Sequence, residues 1–158
     1  MKKLLSGFLA IMLAFTLTGC SKETHDVQIA QVLGSAHGTK CFTVTTVVVE
    51  GDTIVAAHID EFQYMGSADT TGVPNSENFT SYVAEGYQLV SKRENNTYYS
   101  EMMANNGGAT MEIAAGYDAI QAYCNGQAVA DLEGVDTVSG ATLADTANYI
   151  AEIVTAAQ

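Results

Sequence analysis

The sequence predicts an α+β fold: a single small domain in which an antiparallel, hairpin-based sheet packs with C-terminal helices. Three observations point there. Two β-branched runs, 41–49 (CFTVTTVVV) and 53–60 (TIVAAHID), come early and flank Glu50-Gly51-Asp52, the pattern of a β-hairpin. Helical patterns come late. Ile113, Tyr117, Ile120 and Cys124 recur at i, i+4, i+7 and i+11, and Leu143, Ala147, Ile150, Ala151 and Val154 share one face of the stretch 142–156. Finally, 158 residues, 47% of them hydrophobic and 15% charged, suffice for one core and exclude a disordered chain.

The other elements follow in chain order. Residues 27–33 read as a further strand. Residues 66–78 (GSADTTGVPNSEN) are turn-rich, hold the only proline and read as a loop. In 79–91, Phe79, Val83, Tyr87 and Val90 have helical spacing, which Gly86 interrupts. Residues 98–104 (YYSEMMA) suggest a short helix. A helix over 109–124 stops at Asn125-Gly126. Residues 127–135 form a short connection with room for one strand, and 142–156 is the strongest helix.

The first twenty residues read as an address. Lys2 and Lys3 precede the apolar run 4–17, which is shorter than the roughly 20 residues of a membrane span and fits the apolar region of a secretory signal. Leu17-Thr18-Gly19-Cys20 resembles the bacterial lipobox, L-[AST]-[GA]-C. The resemblance implies removal of residues 1–19 as a signal peptide and lipidation of Cys20. The mature chain would be anchored at the cell membrane on its extracytoplasmic face. The alternative is an N-terminal anchor with an incidental cysteine. Residues 20–38 are then the lipidated cysteine and its tether, with Ser21–Asp26 a polar leash, and 39–158 the functional domain.

Charge narrows the partners. The chain has 6 Lys+Arg against 18 Asp+Glu, a net charge of −12, which becomes −14 when Lys2 and Lys3 leave with the signal. Such a surface repels phosphate backbones, so nucleic acid is excluded as a partner. No polybasic patch assists the membrane anchor, and a basic docking face on a partner would suit the acidic domain. His25, His37 and His58 lack metal-ligand spacing, and no C-x-x-C or G-x-S-x-G occurs. Cys41 and Cys124 are either an export-compatible disulfide or two small core residues; the apolar stripe favours burial of Cys124.

One stretch carries chemistry. Residues 136–142 read Asp-Thr-Val-Ser-Gly-Ala-Thr, a small-residue loop running into the predicted helix. Free N–H groups at a helix start attract anions, and Ser139, Gly140 and Ala141 let a bulky group approach the backbone. Thr142 adds a hydroxyl there. Helix capping explains the same residues, since Thr142 and Asp145 have capping-box spacing.

The pattern D-x-x-[ST]-G-A-T resembles the flavinylation motif of the FMN-binding domain family. That family includes covalently flavinylated domains of the sodium-pumping NADH:quinone reductase and of the Rnf electron-transport complex, and many exported bacterial lipoproteins. Asp136, Ser139, Gly140, Ala141 and Thr142 fill the motif's five specified positions. A looser likeness extends over 40–158. The resemblance implies covalent FMN, esterified to Thr142 by a flavin transferase outside the cytoplasm. It implies electron transfer from a membrane donor to an extracytoplasmic acceptor, rather than turnover of a dedicated substrate. Asp136 would tie the loop or help hold a metal during flavin transfer, and Ser139 would meet the phosphate or cap a turn. A surface lipoprotein that binds a ligand or partner without flavin is the alternative. The apolar bed for the ring would come from Tyr64, Met65, Phe79, Tyr82, Tyr87, Tyr98, Tyr99, Met102 and Met103, each also a candidate for ordinary core packing. Lys92-Arg93, the one basic pair in the mature chain, would tune the flavin or sit solvated in a loop.

Overall fold

The computed structural model describes residues 26–79 and 83–158. Cys20, the lipobox and Tyr82 lie outside the described residues. The fold is α+β. A curled antiparallel sheet of β1 (Val27–Gly34), β2 (Cys41–Glu50), β3 (Thr53–Gly66) and β4 (Tyr87–Ser91) runs in simple sequential order. Helices α1 (Asn96–Gly107), α2 (Ile113–Cys124) and α3 (Thr146–Ala157) follow it. α2 packs on β3, and α3 packs on β1 and β2.

The predicted β2–β3 hairpin closes between Glu50 and Thr53 through a two-residue turn with Gly51 at φ 64, which suits glycine at the first turn position. The register shifts by one between Val48 and Val49, leaving Val55 as a bulged residue. That shift keeps Ile54 and Ile59 both inside, although they are five residues apart.

β1 pairs with β2 along its whole length, so residues 27–34 belong to the sheet rather than to a tether ending at 38. Its inward face lies under α3. Its outward face exposes Val27, Ile29 and Leu33. Residues 87–91 are a strand, not a helix: Gly86 at φ 81 redirects the chain onto the edge of β3. The connection 127–135 holds one 3-10 turn, Val129–Leu132, and a single bridge from Ala128 to Thr53.

α2 buries Ile113, Gly116, Tyr117, Ile120 and Cys124, the expected stripe with Gly116 added. α3 differs from expectation. It begins at Thr146 rather than 142 and buries Tyr149, Ile150, Ile153 and Val154, while Ala151 is exposed. Two contacts hold the preceding residues out of the helix. Val138 and Ala141 form a bridge, and Leu143 seats against Gly116, where an added Cβ would come within 2.8 Å of Leu143 Cγ. Cys41 and Cys124 are both free thiols.

Candidate functional site

The turn 138–141 is built by Ala141 N–H donating to Val138 O at 3.0 Å, with Gly140 at φ 86. Glycine is what that third turn position requires. Val138 is buried and anchors the turn, while Ser139 and Gly140 face solvent. The chain then runs through Thr142 until Leu143 docks on α2. Thr142 therefore precedes the helix by four residues and is not its cap. The cap position falls on Asp145, whose side chain makes no capping bond. Thr146 instead donates its hydroxyl back to Leu143 O at 2.8 Å. The helix-start argument for an anion at Thr142 is thereby removed, and the exposed threonine hydroxyl remains.

That hydroxyl makes no hydrogen bond among the described residues, and Thr142 lines a pocket of about 270 Å³. Such a volume is near the lower end of small-molecule sites, roughly 300–1,000 Å³. One wall is Thr142, Leu143, Ala144 and Asp145. The opposite wall is the end of α1 and its link to α2: Met103, Gly107, Gly108, Ala109, Thr110 and Met111. Gly108 reverses the chain there at φ 66, its N–H donating to Ala104 O while Ala109 N–H donates to Met103 O. Tyr99, Ser100, Ile113 and Tyr149 complete the lining. His37, from the β1–β2 loop, closes one side, its Nδ1 lying 2.5 Å from Asp145 Oδ2. The start of α2 is capped across the interface. Ile113 N–H donates to Ser100 Oγ at 3.0 Å and Ala114 N–H to Asn96 Oδ1 at 3.0 Å.

Of the expected ring-bed residues, Tyr99 and Met103 line this pocket. Met102 lines an adjoining depression with His37, Thr39, Lys40, Cys41, Gln63, Tyr99 and Met103. Tyr64 and Tyr87 line a separate surface depression, Met65 is in the core, and Tyr98 packs against the core. Met111 was not anticipated. Asp136 is exposed, and its carboxylate forms no hydrogen bond among the described residues, so it does not tie the loop. Ser139 is likewise outward and outside the pocket lining.

Beneath the pocket lies a polar cluster. Glu61 and Lys92 are both 0% exposed, with Lys92 Nζ donating to Glu61 Oε2 at 2.5 Å. Tyr117 and Tyr149 hydroxyls donate to the same oxygen at 2.9 and 3.1 Å, and Cys41 Sγ donates to Glu61 Oε1 at 3.0 Å. Lys92 Nζ also sits 4.5 Å from the centre of the Tyr99 ring. Burial opposes ionisation of Glu61, but the Lys92 charge and the hydrogen bonds outweigh it and hold the carboxyl below its usual range. Burial likewise opposes the Lys92 charge, and Glu61 overrides it, so the ammonium is held above its usual range. Burial, with the neighbouring Glu61, pushes the Cys41 thiol up to about 12. Burial raises both tyrosines as well, with Tyr149 and Glu61 adding at Tyr117, and Glu61 adding at Tyr149.

Lys92-Arg93 is thus neither a solvated pair nor part of the pocket lining. Lys92 is locked under Tyr99. Arg93 donates from Nη1 to Asp118 at 2.9 Å, from Nη2 to Gln121 at 2.6 Å, and from Nε to Ile59 O. Glu61 was missed from the sequence, yet a signal existed: it shares strand parity with inward Ile59 and Met65, so a carboxylate falls where an apolar residue is expected.

Comparisons with protein-family models, curated proteins and solved structures found no match to this chain.

Proposed function

We propose that the chain is a lipid-anchored, extracytoplasmic electron-transfer flavoprotein, with FMN joined through its phosphate to Thr142. The observation that supports this reading best is a coincidence. The last residue of Asp136-Thr137-Val138-Ser139-Gly140-Ala141-Thr142 offers an exposed, unpartnered hydroxyl at the edge of a largely apolar pocket. FMN would supply one- and two-electron chemistry at this pocket. Tyr99, Met103, Met111, Ile113 and Leu143 would shield a planar ring on the side away from solvent. Asp136, Ser139 and Gly140 face outward, where a flavin transferase can read them, and this favours Asp136 acting during flavin transfer over Asp136 bracing the loop. The lipid on Cys20 would keep the carrier beside a membrane donor.

A ligand- or partner-binding lipoprotein without flavin is the second reading. The apolar strip Val27, Ile29 and Leu33 on the outer face of edge strand β1 favours it, because exposed apolar strips mark contact surfaces. Flavin fluorescence of the denatured full-length chain, produced with an active flavin transferase, separates the two. Fluorescence that persists through denaturation and vanishes in Thr142→Ala supports the flavoprotein. A dark wild-type band beside a labelled control substrate supports the second reading.

A further inference from the structure

The pocket at Thr142 and the adjoining depression meet at His37, Tyr99 and Met103, which line both. The two sides differ chemically. The Thr142 side is walled by methionine, leucine, isoleucine and tyrosine. The depression presents hydrogen-bond donors: the Lys40 ammonium, the Gln63 amide and the Thr39 hydroxyl.

Lys40 is unusual in this acidic chain. Among the described residues the other cations are spent, Lys92 on buried Glu61 and Arg93 on Asp118. Lys40 is exposed and has no carboxylate partner among them. Of the acidic and basic groups nearby, Asp145 is engaged by His37, Glu61 is engaged by Lys92, and Cys41 stays a thiol. The depression at Lys40 is therefore a cationic, donor-bearing spot beside the Thr142 pocket in an otherwise negative surface, and it suits an acceptor-rich edge that gains negative charge.

Resting on the flavin reading, we infer that Lys40, with Gln63, receives the polar pyrimidinedione edge of the ring whose phosphate is held at Thr142, and that Lys40 sets its reduction potential. Two electrons from a reduced donor and one proton from solvent leave one negative charge on that edge. A neighbouring ammonium stabilises the charged, reduced form relative to the neutral, oxidised one, and so raises the potential. Gln63 contributes both an N–H donor and a carbonyl acceptor, which match the alternating carbonyl and N–H groups of the edge.

The test uses the full-length chain, produced with a flavin transferase, as wild type, Lys40→Gln and Lys40→Arg. Intact mass first establishes flavin content, and equilibrium titration against a reference dye then gives the potential. Lys40→Gln is expected to carry flavin fully and to shift the equilibrium toward the oxidised form at least tenfold, about 30 mV for a two-electron couple. Lys40→Arg is expected to restore it to within about twofold. Flavin-loaded Lys40→Gln with an unchanged potential would overturn the inference while leaving the flavin at Thr142 intact. Wild type without flavin would overturn the flavin reading, and this inference with it.

Discussion

Removing the Glu61 carboxylate should cost more than removing the whole ion pair. Glu61→Gln leaves the Lys92 ammonium fully buried, with the Tyr99 ring as its remaining electrostatic partner. An uncompensated buried charge of this kind costs about 3–5 kcal/mol. That is a large share of the roughly 5–15 kcal/mol that holds a domain together, and it corresponds to about 10–20 °C in melting temperature for a domain of this size. Glu61→Gln/Lys92→Met removes both charges and keeps side chains of similar volume. It should recover most of the loss, giving a coupling of about 2 kcal/mol or more in the double-mutant cycle. The pH dependence has a defined sign. The carboxyl of Glu61 is held below its ordinary 4.5, so its contribution is complete above that pH and is lost as pH falls through the folded-state value. The ammonium of Lys92 is held above its ordinary 10.5, so its contribution is complete below that pH and is lost as pH rises through the folded-state value. The pair therefore acts fully between the two. Urea and thermal unfolding followed by circular dichroism at pH 7 measure the cycle. A Glu61→Gln variant within about 1 kcal/mol of wild type, or additive single changes, would refute the reasoning.

Three further outcomes are expected. Gly116→Ala gains about 1 kcal/mol of helix propensity but drives a Cβ to 2.8 Å from Leu143 Cγ, displacing the residue next to Thr142; flavin incorporation should fall even if the melting temperature changes by only a few degrees. Gly34→Ala drives a Cβ into the Glu152 carboxylate, which must swing off Thr43 and Thr45, the hydroxyls that donate to it at 2.5 and 3.1 Å; a loss of about 1–3 kcal/mol should appear in the urea midpoint. Cys41 and Cys124, with thiols pushed from 9.0 up to about 12 and about 11, should react with a disulfide reagent at pH 8 at least a hundredfold more slowly than in urea, where equal native and denatured rates would contradict the burial described.

Much of the fold was legible because local signals agreed with it. The β2–β3 hairpin follows from β-branched runs around Gly51, and the buried stripe of α2 follows from its spacing. The start of α3 was misread because Thr142-x-x-Asp145 has capping-box spacing, and the sequence cannot reveal that Leu143 is captured by Gly116 on another helix. The face of α3 was legible in part: Ile150 and Val154 are buried as expected, but Ala151 is exposed and Tyr149 turns inward, its hydroxyl donating to Glu61, 88 residues away. At the site, Thr142 and two of the proposed ring-bed residues, Tyr99 and Met103, come together, since motif and pocket coincide. His37, Met111 and Lys40 were invisible because loops and helix ends bring them in without periodicity. Glu61 and Lys92 were invisible as a pair because nothing local marks two charges 31 positions apart as mutual neutralisers.

The covalent flavin at Thr142 is tested most directly by the intact mass of the full-length chain produced with an active flavin transferase, beside Thr142→Ala. Wild type should gain one FMN less one water, and Thr142→Ala should gain nothing. An unmodified wild type in the presence of a modified control substrate, or a Thr142→Ala variant that still gains the flavin mass, would contradict it.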